Sequence, residues 1–89
     1  MIRIIYPGGE ECPDALTFEE MQKLVGGYVE CNHTRLGDEI VQAICNEDGI
    51  ALGLPFNPRA QAIFGDKFLM PPQGALGTWI ILSGKDMLT

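Results

Sequence analysis

Leu16-Thr17-Phe18-Glu19-Glu20-Met21-Gln22-Lys23-Leu24-Val25-Gly26-Gly27-Tyr28-Val29-Glu30 marks both ends of a helix and the strand that leaves it. Thr17 followed three residues later by Glu20 is a capping box, in which each side chain satisfies a backbone N–H at the other's position. Leu16 before the cap and Met21 at the fourth helical position form a hydrophobic staple. Glu19 and Glu20 sit at the positive end of the macrodipole and Lys23 toward the negative end. Phe18, Met21, Leu24 and Val25 recur at spacings of three and four, giving one apolar stripe to lay on a sheet. Gly26-Gly27 supplies the left-handed stop that other residues resist. The spacing predicts a helix over 18–25 and a strand over 28–32.

Working outward, Met1 to Tyr6 is β-branched and aromatic around one Arg, and Pro7-Gly8-Gly9 stops it. It reads as a strand inside the sheet. Residues 10–15, polar and containing Pro13, read as a loop, as do 33–39 with Gly37. Ile40 to Cys45 is an apolar run suited to a buried strand. Asn46-Glu47-Asp48-Gly49 is a turn, and Ile50 to Leu54 is expected to return as the second arm of a β-hairpin. Asn57-Pro58 opens a second helix, with Asn as N-cap and Pro where its missing N–H costs nothing, and Gly65 ends it. Ala60 and Ala62 allow close approach to a neighbouring backbone. Phe68 to Met70 is expected as a short strand before Pro71-Pro72, residues 73–77 as a glycine-containing loop, and Thr78 to Leu82 as the last strand. The fold class is α+β, a small mostly antiparallel sheet of four to five strands packed with one or two short helices. Residues 1–89 make one domain, large enough to bury roughly 60 to 65% of its extended-chain surface.

Charge is unevenly placed. Of a net −6, residues 1–48 carry ten acids against Arg3, Lys23 and Arg35, whereas residues 49–89 carry Asp66 and Asp86 against Arg59, Lys67 and Lys85. No positive stripe is readable, so direct nucleic-acid binding is disfavoured. Glu10, Glu11, Asp38 and Glu39 are the candidate partner-binding acids, set to attract a basic partner or to serve only as a solvated surface. Cys12, Cys31 and Cys45 are odd in number and form no CxxC, which argues against a disulfide framework. The segment MIRIIYP lacks a signal-peptide core, and no run approaches the ~18 apolar residues of a membrane span. A cytoplasmic protein with reduced thiols is expected.

The start of the second helix is the candidate ligand site. A helix N-terminus attracts anions, and Arg59 is a cation where the dipole disfavours one, so a phosphate would relieve it. The structural alternative makes Asn57 a cap only and pairs Arg59 with a nearby acid. Tyr28 and Trp79 are candidate base-stacking aromatics, or else sheet-face and core residues. Cys31 and His33 fall two apart on one strand face, but zinc would need two more ligands and a thiol nucleophile is outweighed by a plain buried Cys and loop His. Gly74-Ala75-Leu76-Gly77 lacks the Lys and hydroxyl of a phosphate loop and leads into a strand. No catalytic residue, metal site or cofactor is expected.

Leu16 to Glu30 together with Gly53-Leu54-Pro55-Phe56-Asn57-Pro58-Arg59-Ala60, Asn46-Glu47-Asp48-Gly49 and the glycine-led Gly77 to Leu82 resemble domain of unknown function 3846. The resemblance covers nearly the whole chain and implies a phage- or plasmid-borne protein in a bacterial cytoplasm; it transfers no catalytic residues. The expectation that follows is a non-enzymatic counter-defence inhibitor that occupies a host defence protein through its acidic first half. The alternative is a homo-oligomeric sponge that sequesters a phosphate-bearing nucleotide signal at Asn57 and Arg59.

Overall fold

The computed structural model describes residues 1–68 and 70–88. Strands β1 (Ile2–Tyr6), β2 (Gly9–Glu11), β3 (Val29–Leu36), β4 (Glu39–Asn46) and β5 (Trp79–Ser83) form one antiparallel sheet in the order β2-β1-β5-β4-β3. Helix α1 (Phe18–Val25) covers one face and α2 (Pro58–Phe64), with the loops around it, covers the other. β4 and β5 are central and buried on both faces, which is why Ile40–Cys45 and Thr78–Leu82 read as near-continuous apolar runs.

Alternation along the strands sorts the two cores. Ile2, Ile44, Ile80 and Leu82 meet Met21 and Val25 of α1. Ile5, Val41, Ala43, Cys45, Trp79 and Ile81 meet Ala60 and Phe64 of α2. Helix α1 has the predicted ends: Glu20 N–H donates to Thr17 Oγ1 (3.1 Å), Thr17 N–H donates to Glu20 Oε1 (2.9 Å), and Gly26 adopts φ 86°. The Thr17 backbone N–H, and then the Thr17 side chain, hold the Glu20 carboxyl below its usual range. Phe18, however, is half exposed and contributes little to the stripe.

The hairpin differs from the expectation. Its arms are β3 and β4, paired without interruption from Val29↔Asn46 to Leu36↔Glu39. Gly37 at φ 62°, with no positive φ at Asp38, makes a type II′ turn inside what read as a loop. The sequence Glu-Cys-Asn-His-Thr-Arg is polar on both faces because β3 is an edge strand, so hydropathy alone hides it. Ile50–Leu54 is not a strand: Leu52 N–H bonds Asp48 C=O (2.9 Å), Leu54 N–H bonds Gly49 C=O (3.1 Å), and Gly53 turns at φ 64°. Ile50 and Leu52 are exposed. Gly9–Glu11, read as loop, adds the short edge strand β2. Leu69, within the strand expected over 68–70, lies outside the described residues.

Candidate functional site

A cavity of about 640 Å³ opens on the α2 face near the β3 edge. Its floor comes from alternating residues that point to that face, Glu30 and Asn32 of β3, Cys45 of β4 and Trp79 of β5. One wall is the turn 47–51 that follows β4, and the other is formed by Phe68, Met70 and the 74–76 segment. The turn is fixed at its root by Asn46, whose Oδ1 accepts from Asp48 N–H (2.7 Å) and whose Nδ2 donates to Val25 C=O (2.9 Å). The opposite wall is fixed by Gln61, whose Oε1 accepts from Ala75 N–H (2.8 Å).

The chemistry of the cavity is one-signed. Glu30, Glu47 and Asp48 contribute carboxylates, and no Lys, Arg or His lines it among the described residues. None of the three carboxylates joins an ion pair among the described residues. Glu30 Oε2 accepts from Asn32 Nδ2 (3.3 Å) and from the Cys45 thiol (3.6 Å). Burial, reinforced by the negative charge of Glu30, pushes the Cys45 thiol up to about 12. It is therefore protonated at neutral pH and a poor nucleophile. Uncompensated carboxylates beside Ile50, Phe68, Met70 and Leu76 suit a group with an apolar stem and a cationic head, and oppose a phosphate.

The residues singled out in the sequence do not converge on this cavity. Asn57 is wholly buried, its Nδ2 donating to Ile5 C=O (2.8 Å) and Gly77 C=O (2.7 Å) while its Oδ1 accepts from Ala60 N–H (3.0 Å). Every polar atom of that side chain is committed to the fold. Arg59 is exposed on α2, and its charge, after the larger contribution from Arg3, helps to hold the Glu10 carboxyl low. Trp79 does line the cavity, but Phe64 stacks on it at 5.3 Å, Phe68 lies at 6.3 Å, and its indole N–H donates to Leu76 C=O (3.1 Å). Tyr28 is 70% exposed just before β3 and is not among the lining residues. Cys31 and His33 share the α1 face, and His33 Nε2 lies 3.2 Å from Gln42 Nε2 rather than on a thiol.

The four candidate acids are also split. Glu10 and Glu11 lie on β2, whereas Asp38 and Glu39 lie at the turn joining β3 to β4 at the far side of the sheet. Four strand spacings separate these edges, roughly 19 Å. Glu10 is already held by Arg3, with Nε to Oε2 at 2.6 Å and Nη2 to Oε1 at 3.0 Å. The acids that line the cavity, Glu30, Glu47 and Asp48, are legible in the sequence only as a strand residue and a turn. A carboxylate set opposite a thiol by strand register carries no sequence signature.

Among the described residues no group of three or more His, Cys, Asp or Glu is arranged to hold a metal ion, and no helix is long and apolar enough to cross a membrane. No curated protein and no solved structure matches the chain. The model of one family, described as domain of unknown function (DUF3846), matches residues 1–87. Its span takes in all five strands and both helices of the fold, and the chain belongs to that family.

Proposed function

We propose that this protein is a non-enzymatic binding protein that acts by occupancy, receiving a basic side chain of a protein partner in the acid-rimmed cavity. The observation that carries this reading is the set of three carboxylates around an apolar-walled cavity of about 640 Å³ with no lining cation among the described residues. A cationic head there meets carboxylates that have no ion-pair partner among the described residues, and an aliphatic stem covers Ile50, Met70 and Leu76. Glu11, Asp38 and Glu39, spread around the sheet edges, add to the field that steers a basic partner inward. The mobile-element origin implied by the family resemblance makes a host defence protein in the bacterial cytoplasm the partner class, and a counter-defence inhibitor the role.

The nucleotide-sponge alternative draws less support, because the Asn57 donors are used within the fold and the cavity repels phosphate. Titration calorimetry with short Arg- and Lys-bearing peptides tests the leading reading. Binding that weakens with salt and falls at least tenfold in a Glu30→Gln, Glu47→Gln, Asp48→Asn variant is expected. Absence of any such binding, with a nucleotide raising the melting temperature instead and recovered intact, would favour the sponge. Recovery of an altered ligand would point to an enzyme.

A further inference from the structure

The two edges of the sheet are finished differently. β2 is three residues long and sits between Pro7 and Pro13, a protected edge. β3 is eight residues long, has no Pro or Gly, and pairs with β4 through eight consecutive positions without a bulge. The Tyr28 carbonyl accepts from Glu47 N–H (3.1 Å), continuing the same register. Even-numbered residues of β3 therefore direct their backbone groups at β4, and Val29, Cys31, His33 and Arg35 direct theirs away from the sheet. This outward row is a template for another strand.

We infer that β3 is the interface for a second copy of this chain, pairing antiparallel about a two-fold axis at Asn32. A two-fold perpendicular to the sheet preserves its faces, so only residues of like parity can lie opposite one another. Centring on Glu30 or on Arg35 would set like charges face to face. Centring on Asn32 gives the longest overlap, 28–36, and leaves no like-charge pair. Tyr28 then meets Leu36 of the second copy, Val29 meets Arg35, Glu30 meets Thr34, and Cys31 meets His33. The odd residues form the hydrogen-bonded pairs, as their outward backbone requires. Tyr28, 70% exposed in the single chain, gains an apolar cross-strand neighbour.

The second copy also completes the site. Glu30 and Asn32 lie on the open, β3 side of the cavity. In the pair, Thr34 and Asn32 of the second copy border that side, and the two cavities flank the axis on one face. The two Glu30 residues remain roughly 14 Å apart along the strands, four residues at the antiparallel rise. Doubling the net charge of −6 opposes association, so added salt strengthens the dimer, the reverse of its effect on a basic ligand.

Sedimentation equilibrium and cross-linking test this. The wild-type chain is expected to reach twice its 9.7 kDa mass at or below about 100 µM. His33→Pro removes an outward N–H that β4 does not use, and returns a monomer with unchanged circular dichroism. If that variant does not fold, Asn32→Lys reads the same point by setting two ammonium groups against each other at the axis. In a Cys12→Ser, Cys31→Ser background, Asn32→Cys is expected to oxidise to an interchain disulfide, since residues opposite in a non-hydrogen-bonded pair lie roughly 4.5 Å apart at Cα. A monomeric wild type, a dimer that survives both edge variants, or a dimer of the Asn32→Cys variant whose introduced thiol stays reduced would overturn the inference. A monomer that still binds basic peptides would leave the proposed function standing, and a dimer that binds none would remove only the latter.

Discussion

Replacing Asn57 with alanine deletes three hydrogen bonds made by one fully buried side chain, at 2.7, 2.8 and 3.0 Å. Loss of the cap on Ala60 N–H costs about 1 kcal/mol. The carbonyls of Ile5 and Gly77 lose a buried donor, at about 1 to 3 kcal/mol each, toward the low end because a carbonyl has a second lone pair. The expected loss is about 3 to 5 kcal/mol, set against roughly 4 to 13 kcal/mol for a domain of this length. Asn57→Asp is the sharper variant. It keeps an acceptor for Ala60 N–H but turns the donor into an oxygen facing two carbonyls. Burial beside them raises the new carboxyl in the folded state, so its stability is greatest below the unfolded value and is lost as pH rises through the folded one. Urea unfolding followed by far-UV circular dichroism measures both, with an unchanged slope showing that the cost is in the midpoint. An Asn57→Ala loss below about 1 kcal/mol would refute the reasoning, because the three bonds could not then be holding α2, β1 and the 77 turn together.

Gly74→Ala is expected to lower stability by about 2 kcal/mol, because Gly74 has φ +83° and a Cβ there would lie 2.8 Å from both Gln61 Oε1 and Phe56 Cε1. Gly8→Ala, with nothing within 4 Å, is the control and should leave the urea midpoint unmoved. The Cys45 thiol, raised from 9.0 to about 12 chiefly by burial, keeps its proton in the fold after the unfolded chain has lost it. Its contribution is intact below about 9 and declines as pH climbs toward 12, so Cys45→Ala should flatten the alkaline fall in stability. Iodoacetamide at mildly alkaline pH should label exposed Cys12 well before Cys45; equal rates would contradict the burial.

How much of this was readable in advance depends on what each segment had to signal. Helix α1 announced itself because both ends use side chains or glycines with a local job, and its predicted bounds of 18–25 are those observed. β4 and β5 were legible because central strands are apolar on both faces. The sequence shows only the first part of β3 because an edge strand needs no such pattern, and the polar run from His33 with Gly37 reads as a loop. Ile50–Leu54 misled for the opposite reason: its apolar side chains wall a cavity or face solvent, while its backbone turns on itself. The cavity depends on register, which places Glu30 beside Cys45 across fifteen residues of chain. No local pattern encodes that pairing. Asn57 was recognised as a cap, but its bond to Ile5, fifty-two positions away, decides that it is structural.

The cavity draws its base from paired strands and its brim from turns. Substitutions at Cys45 and Trp79 in the base disturb the core, whereas Glu47, Asp48, Ile50 and Ala51 are exposed and can be exchanged at little cost to folding. The lining of the cavity can thus vary at the brim while the scaffold beneath it stays fixed.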